Sequence, residues 1–218
     1  MKAQQGIQQN DKARLRKTSR QLRNQLSSTQ QEAAKHALLH VLTANSVFKN
    51  SKKVALYLSN DGELDTSLVI DYCWQQGISV YLPVLHPFSK GHLLFLEYNH
   101  ATPMAHNQFG IEEPQLNVNT LCLLNDLDII FTPLVAFDLQ GDRLGMGGGF
   151  YDRTLAISQK HTNLSDHAKR DFARETKNIN VPVVIGLAHD CQQVDKIPTQ
   201  SWDIKIPFIA TPSKFYQC

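Results

Sequence analysis

Stretches of apolar and polar residues alternate along the chain and predict a series of strands and helices. Residues 54–58 (VALYL) form a continuous apolar run between polar flanks, which is typical of a buried strand in a parallel sheet. An Asn-Asp-Gly turn follows at 60–62, then a predicted helix over 65–76 and a second strand over 78–83. This strand–helix–strand order predicts a right-handed crossover between parallel strands.

Four further apolar stretches predict strands at residues 93–98, 127–131, 181–187 and 204–210. Pro207 within the last stretch favours a place at the edge of the sheet. Because these strands alternate with helical segments, the chain is expected to form an α/β fold. We expect a single domain over 1–218, with three α/β/α layers around a mostly parallel sheet.

Two helices are predicted ahead of the first strand. Residues 11–26 are expected to form a basic helix, and the Gln-rich residues 1–10 are expected to be disordered. Thr29 and Glu32 have the spacing of a capping box at the start of a second helix. Far along the chain, the polar segment 159–180 is expected to be a surface excursion, part helix and part loop, with no assigned role.

Composition narrows the class of protein. Of 218 residues, 42% are hydrophobic and 19% are charged, as in ordinary globular domains, and no apolar run approaches the ~20 residues of a membrane span. The four cysteines form no C-x-x-C pair, so we expect reduced thiols in a cytoplasmic protein. Neither an H-E-x-x-H nor a G-x-S-x-G motif is present, which gives zinc or triad hydrolysis little support.

Basic residues are concentrated at the start of the chain. Residues 1–31 contain seven Lys or Arg and one Asp, a net charge of +6, whereas the whole chain carries +2 and the remainder therefore −4. Such a segment can be a transit peptide, a solvated helix face or a binding surface for phosphates. Four of its cations would share one helical face and repel unless an anion compensates them. They are Lys12, Arg16, Arg20 and Arg23.

A glycine-rich loop is the most informative motif. Gly145, Gly147, Gly148 and Gly149 lie between a predicted strand and a helix predicted from Phe150. Glycines let the backbone approach a ligand, and successive N–H groups ahead of a helix can form an anion-binding nest. A tight turn would use the same residues. The loop matches neither the G-x-x-x-x-G-K-[ST] nor the G-x-G-x-x-G pattern.

Charged residues beside this loop and at strand ends are the candidates for chemistry. Arg143 could contact a phosphate. Asp152 could hold Mg²⁺ with Asp203 as a second carboxylate, although either acid could equally be an ordinary helix-end or loop residue. Glu63 follows the first strand, which places it at the carboxyl edge where open α/β sheets bind ligands, and neighbouring aspartates compete with it for that role.

The string from Arg143 to Arg153 (RLGMGGGFYDR) closely resembles the signature of the 5-formyltetrahydrofolate cyclo-ligases, also called methenyltetrahydrofolate synthetases. Other segments resemble that family in the same order. They are Lys12–Arg16 (KARLR), Gly62–Thr66 (GELDT), Val80–Pro87 (VYLPVLHP) and Trp202–Ile204 (WDI). The resemblance extends over about residues 12–212, and the glycine motif is its most specific part.

The resemblance implies an ATP- and Mg²⁺-dependent ligase of folate metabolism. Family members convert 5-formyltetrahydrofolate to 5,10-methenyltetrahydrofolate and release ADP and phosphate. The formyl oxygen would first be phosphorylated, since an amide oxygen is a poor leaving group, and the neighbouring nitrogen would then close the ring. We accordingly expect a small-molecule substrate, no nucleic-acid or membrane partner, a cytoplasmic location and a monomer.

The family's functional residues carry over one by one. Lys12 and Arg16 would contact the ATP phosphates, and Asp152 and Asp203 would hold Mg²⁺. The resemblance also implies a nucleotide loop in which Arg143 and Tyr151 have catalytic roles. That loop comprises Arg143, Leu144, Gly145, Met146, Gly147, Gly148, Gly149, Phe150 and Tyr151. The folate would contact Leu58, Glu63, Met146, Gly147, Gly148, Gly149 and Phe150.

This sequence departs from the family pattern in two places. Many relatives have a basic residue where Met146 and Gly148 stand, so more phosphate charge would fall on the other cations and Mg²⁺. The segment 159–180 is longer than the family pattern predicts. Two other hypotheses stay open here: a nucleic-acid-binding module that uses the basic arm, which the −4 body disfavours, and another phosphate-sugar or CoA-type enzyme.

Overall fold

A computed structural model describes residues 2–162, 181–200 and 203–218. The helices are α1 (Lys2–Asn24), α2 (Ser28–Ala44), α3 (Ser46–Lys49), α4 (Ser67–Gln75) and α5 (Phe150–Thr162). The strands are β1 (Lys53–Ala55), β2 (Ser79–Leu85), β3 (Leu93–Glu97), β4 (Met104–His106), β5 (Glu112–Pro114), β6 (Leu121–Cys122), β7 (Ile129–Pro133), β8 (Ala136–Phe137), β9 (Arg143–Leu144), β10 (Val183–Leu187), β11 (Phe208–Ala210) and β12 (Phe215–Gln217). Most of the polar segment 159–180 lies outside the described residues.

An eight-stranded sheet forms the centre of the molecule, in the order β12-β11-β10-β7-β1-β2-β3-β6. The five strands from β11 to β2 run parallel, whereas β12, β3 and β6 each pair antiparallel with an inner neighbour. Two short hairpins, β4–β5 and β8–β9, lie outside this sheet. The structure therefore confirms the predicted mostly parallel sheet and the crossover from β1 through α4 to β2.

Helices cover both faces of the sheet, as expected for three layers. On one face, α2, α3 and α4 pack their buried apolar side chains against β1, β7 and β10. Phe48 of α3 is completely buried there, with its ring 5.8 Å from each of the Tyr72 and Phe131 rings. On the other face, Leu155 of α5 packs against Ala55 and neighbouring strand residues. Among the described helices, none combines the length and apolar character needed to cross a bilayer.

The N-terminal region differs from the sequence prediction at two points. Helix α1 begins at Lys2, so residues 2–10, expected to be disordered, are helical; they contain no proline and continue the helix that docks further along. The capping box of α2 is formed by Ser27 and Gln30 and not by Thr29 and Glu32. Ser27 and Gln30 have the same reciprocal spacing, and they supply the cap at the turn where the backbone is already extended.

The C-terminal region also differs from the prediction. The stretch 204–210 forms a strand only at Phe208–Ala210, and this strand is not at the edge because β12 pairs with it. Pro207 precedes the paired residues, so its missing N–H removes no ladder hydrogen bond. The β4–β5 hairpin and strands β6 and β9 were not predicted, since such short pairings leave little periodicity in the sequence.

Phe48→Ala is expected to lower the free energy of unfolding by about 3–5 kcal/mol, because it removes a fully buried ring between two aromatic neighbours and leaves a cavity. Urea unfolding followed by circular dichroism measures the change. Phe88→Ala is the matched control: that ring is 90% exposed, and its loss should change the free energy by less than about 0.5 kcal/mol. Equal losses in both variants would contradict the assigned core.

Candidate active site

Helix α1 lies across the edge of the sheet where the parallel strands end, and its basic stripe faces that edge. All four cations of the predicted stripe donate to acceptors in loops that follow strands. The pairs are Lys12 Nζ to Asp203 Oδ2 (2.6 Å), Arg16 Nε to the Gly145 carbonyl (2.8 Å), Arg20 Nε to Asp61 Oδ2 (2.7 Å) and Arg23 Nη2 to Asp61 Oδ2 (2.9 Å). The interpretation of the stripe as a solvated face is therefore wrong.

The glycine loop connects β9 to α5 and has the backbone of an anion-binding nest. Gly147 (φ +100°) and Gly149 (φ +64°) occupy the left-handed region of backbone conformation, which residues with a Cβ rarely adopt. The N–H groups of Gly147, Gly148 and Gly149 have no acceptor among the described residues. They lie directly ahead of the positive end of α5, so an anion could accept several of them at once.

Two arginines donate hydrogen bonds to carbonyl groups of this loop. Arg16 donates to the Gly145 carbonyl, and Arg153 donates through Nη2 to the Gly148 carbonyl and through Nε to Gly91. The C=O and N–H of a planar trans peptide point in opposite directions. The Gly148 carbonyl and the Gly149 N–H belong to the same peptide, so the hydrogen bond from Arg153 to this carbonyl directs the Gly149 N–H away from Arg153 and leaves it available to a ligand.

Arg143 lies beside the glycine loop as a buried cation between two acids. Its side chain is only 6% exposed; Nη2 donates to Asp152 Oδ1 at 2.6 Å, and Nη1 donates to the Ile204 carbonyl. Burial lowers the pKa of Arg143, while Asp152 and Asp203 oppose that shift. A guanidinium remains charged even so, and it can neutralise an incoming phosphate oxygen.

Asp152 and Asp203, the predicted metal ligands, lie on this edge of the sheet, and each already contacts one cation. Asp152 Oδ1 accepts from Arg143, and Asp203 Oδ2 accepts from Lys12 and from the Gln200 N–H. Among the described residues, no group of three or more metal-ligating side chains occurs. Asp152 Oδ2 and Asp203 Oδ1 accept no hydrogen bond from described residues, and two carboxylate oxygens fit Mg²⁺, which takes its remaining ligands from water and phosphate.

Glu63 lies at the same edge, in the loop after β1. Its side chain is 14% exposed, Oε2 accepts from the Asn60 N–H at 3.2 Å, and Oε1 is 3.9 Å from Arg23 Nη2. Burial raises the pKa of Glu63 to about 7, although Arg23 opposes the shift. The carboxyl group can therefore exist in both protonation states near neutral pH.

Two tyrosines connect Glu63 to the glycine loop electrostatically. Burial, with a contribution from the Glu63 carboxylate, raises the pKa of Tyr57 and of Tyr151. Both hydroxyl groups consequently stay protonated at neutral pH and act as hydrogen-bond donors. Arg143 opposes the rise in the pKa of Tyr151, so this tyrosine lies within electrostatic reach of both Glu63 and Arg143.

The structure brings most of the predicted site residues together along this edge: Lys12, Arg16, Glu63, Arg143, the glycine loop, Tyr151, Asp152 and Asp203. Leu58 is half-buried and packs against the main core rather than against the glycine loop, among the described residues. Met146 is 54% exposed at the surface of the loop. Trp202, part of the last matching segment, lies outside the described residues.

Sequence reasoning missed four contributors to the site. Arg20 and Arg23 appeared only as members of the basic stripe, and Arg153 only as the end of the glycine motif. Phe109, from the β4–β5 hairpin, packs edge-on against Phe150 with ring centres 6.0 Å apart. The spacing of four and then three residues after Arg16 could have indicated the two stripe arginines, whereas no pattern in the sequence places Phe109 beside the loop.

Comparisons with known proteins indicate one family. The sequence profile of the 5-formyltetrahydrofolate cyclo-ligase family matches residues 8–212. The chain is 45% identical over 192 residues to the 5-formyltetrahydrofolate cyclo-ligase of Haemophilus influenzae, covering 88% of this chain and 92% of that protein. It is 44% identical over 188 residues to the enzyme of that name from Escherichia coli K12, covering 86% and 92%.

A solved structure is similar over nearly the whole chain. The NMR structure of Aquifex aeolicus 5,10-methenyltetrahydrofolate synthetase matches with a TM-score of 0.73 and 26% identity, covering 94% of this chain and 92% of that one. The profile, the two bacterial relatives and this structure all lead to the same group of proteins. The chain belongs to the 5-formyltetrahydrofolate cyclo-ligase family.

Proposed function

We propose that this protein converts 5-formyltetrahydrofolate to 5,10-methenyltetrahydrofolate and uses ATP as the phosphoryl donor. The observation that carries the proposal is the convergence of three features at one edge of the sheet: the glycine loop, the cations of α1 and the Glu63 carboxylate. Relatives with 44–45% identity bear the name of this activity. A phosphate and a folate bound to these features would lie side by side.

The terminal phosphates of ATP would bind over the glycine loop. The free N–H groups of Gly147–Gly149 would donate to phosphate oxygens, and Lys12, Arg16 and Arg143 would supply positive charge. Lys12 and Arg143 are held in place by Asp203 and Asp152 in the absence of nucleotide. The site thus keeps its cations oriented before the anion arrives, which reduces reorganisation on binding.

Asp152 and Asp203 would hold Mg²⁺ through the oxygens that accept no described hydrogen bond. When bound, the ion would neutralise part of the triphosphate charge. Met146 and Gly148 contribute no charge within the loop. The ion and the three neighbouring cations would therefore share the electrostatic work that an additional loop cation performs in many relatives.

The folate would bind at the Glu63 side of the site. In its ionised form, Glu63 accepts hydrogen bonds, and the N–H groups of a pterin ring are suitable donors. Leu58 and residues 146–150 would contact the remainder of the substrate. The formyl oxygen would then face the phosphates over the glycine loop.

The reaction would proceed in two bond exchanges. The formyl oxygen attacks the γ-phosphorus, so an O–P bond forms while the bond from that phosphorus to the ADP oxygen breaks. The neighbouring nitrogen, N10, then attacks the formyl carbon, loses its proton, and expels inorganic phosphate as the C–O bond breaks. The protein contributes positioning of the two substrates and stabilisation of the transferred charge.

Arg143 and Tyr151 would act on the transferred group. Arg143 is fixed by two acceptors, so its guanidinium is already oriented towards the charge that develops on the phosphoryl oxygens. Tyr151 keeps its proton because its pKa is raised, so it would donate a hydrogen bond and not act as a base. This assignment leaves water or released phosphate to accept the N10 proton.

The same site supports the remaining expectations for the chain. The four cysteines are free thiols, in keeping with a reducing compartment such as the cytoplasm. The α1 stripe contacts the chain's own loops, which removes the main motive for a nucleic-acid-binding module.

The function is tested by mixing the protein with 5-formyltetrahydrofolate, ATP and Mg²⁺ and following the absorbance of the methenyl product. Absorbance should grow only when both ATP and Mg²⁺ are present, with one ADP released per product molecule. Omission of ATP is the control for slow acid-catalysed ring closure. A protein that releases ADP without folate turnover would point instead to another phosphate-transferring enzyme.

Asp152→Asn is expected to lower kcat by at least about 100-fold and to raise the Mg²⁺ concentration needed for half-maximal rate, because the amide is a poorer ligand for a hard cation. Steady-state rates across a Mg²⁺ titration measure both effects. Asp142→Asn is the matched control, since Asp142 pairs with Lys205 away from the loop glycines and should leave the titration unchanged. An unaltered Mg²⁺ dependence in Asp152→Asn would remove this residue from the metal site.

As the pH is raised towards 7, the kcat/KM for 5-formyltetrahydrofolate should increase about tenfold per pH unit, and above pH 7 it should level off. The reason is that the ionised Glu63 is the acceptor and its pKa is raised to about 7. Glu63→Gln should have a lower kcat/KM and lose this acid limb. Rates at saturating ATP over about pH 5–9 provide the measurement. Glu32→Gln, an exposed change on α2, is the control and should show the same loss of kcat/KM at acid pH as the wild type. If Glu63→Gln also shows this loss, another group is responsible for it.

A further inference from the structure

Arg23 is a completely buried cation, and the chemistry proposed above does not use it. Its side chain is 0% exposed, which would be costly for a cation without partners. The guanidinium therefore makes three hydrogen bonds: Nε donates to the Asp61 carbonyl (2.9 Å), Nη2 to Asp61 Oδ2 (2.9 Å) and Nη1 to the Leu134 carbonyl (3.2 Å). These acceptors belong to the loops that follow β1 and β7.

The loop that Arg23 holds has a strained backbone directly before Glu63. Asp61 has a φ of +51°, in the left-handed region where residues other than glycine are rare, and Gly62 follows with +73°. A Cβ added to Gly62 would overlap Asn24 Oδ1, so α1 and this loop are packed without space between them. Such a conformation persists only where its surroundings fix it, and here the surroundings are α1.

Arg23 also connects the two halves of the site. Glu63 Oε1 lies 3.9 Å from Arg23 Nη2, while Arg16 and Lys12 lie on the same helix about two and three turns earlier. A movement of α1 along its axis would shift Lys12 and Arg16, the cations proposed to bind phosphate, together with the Glu63 loop. A loop without Arg23 would lose that constraint.

We propose that Arg23 is a positioning residue for the reaction: it locks the Asn60–Glu63 loop onto α1 and so fixes the Glu63 carboxylate relative to the cations that hold the phosphates. The proposal rests on the folate-binding role of Glu63 stated above. Arginine suits the position because its planar fork can bond a backbone carbonyl and a carboxylate in one loop and a carbonyl in another at the same time.

Glu63 is the group in this cluster whose charge changes near neutral pH. Arg23 of α1, Asp61 of its own loop, Tyr57 after β1 and Tyr151 of α5 are the charged or titratable groups that act on it or feel it. Arg20 and Asn24 hold the pKa of Asp61 at about 2, and both tyrosines keep their protons. His189, which lies near Arg23, has a pKa lowered to about 4 by burial and stays neutral.

The test reads the Glu63 pKa directly, by carboxyl ¹³C NMR on the ligand-free protein. Arg23→Gln should raise this pKa by roughly one unit, because a cation near the carboxylate is lost. Asp61→Asn should lower it, since a neighbouring negative charge is removed. Arg20→Gln is the matched control: it breaks a contact to the same Asp61 carboxylate, but this side chain is 44% exposed and its charge is screened by water, so the pKa of Glu63 should stay within about 0.2 units.

Kinetics then separate positioning from a purely electrostatic effect. At a pH one unit above each variant's Glu63 pKa, where the carboxylate is ionised, Arg23→Gln should raise the KM for 5-formyltetrahydrofolate about tenfold and the KM for ATP less than threefold. An unchanged folate KM, or equal changes in both constants, would overturn the positioning role. The positioning role would also be overturned if the pKa of Glu63 did not change in Arg23→Gln. If that variant does not fold, the same conclusion would follow from an unchanged pKa in Asp61→Asn.

The two proposals can fail separately. If the wild-type protein forms no methenyl product, the proposed function is wrong, yet the NMR shifts still report whether Arg23 controls the Glu63 environment. If the wild type turns over and the Arg23 and Asp61 variants keep the wild-type Glu63 pKa, the positioning role is wrong and the function stands. Circular dichroism on each variant establishes that it is folded before either measurement.

Discussion

The docking of α1 across the carboxyl edge of the sheet is the constraint on which the site depends. Four side chains of one helical face contact loops from four separate parts of the chain, and three of these loops carry residues of the candidate site. Like charges at this spacing would repel on an isolated helix. The acceptors of the edge remove that repulsion, so the sheet loops stabilise the helix and the helix orders the loops.

Much of this arrangement follows from local patterns in the sequence. The apolar runs at 54–58 and 127–131 predicted buried parallel strands, and the glycine cluster predicted a loop between a strand and a helix. The stripe of four cations predicted their common face but not its partners. Their acceptors, such as Asp61 and the Gly145 carbonyl, are defined only once the chain has folded, so spacing alone could not distinguish a docking face from a solvated one.

Other differences arise where two local solutions compete or where the signal is too short. Thr29 with Glu32 and Ser27 with Gln30 offer the same capping geometry two residues apart, and the second pair forms because the chain is already extended at Ser27. Strand β12 consists of three residues and is stabilised by β11 rather than by its own pattern. Phe109 reaches the glycine loop from a hairpin whose pairing is non-local, which no window of sequence records.

The contacts of α1 also determine when the site can form. Lys12 and Asp203 are 191 residues apart in sequence, and Arg16 and Gly145 are 129 apart. During translation the helix leaves the ribosome before its partners: Asp61 emerges 41 residues after Arg20, whereas Asp203 emerges 191 residues after Lys12. The N-terminal part of the basic stripe is therefore made long before its acceptor, and until Asp203 has emerged Lys12 lacks its partner and the candidate site is incomplete.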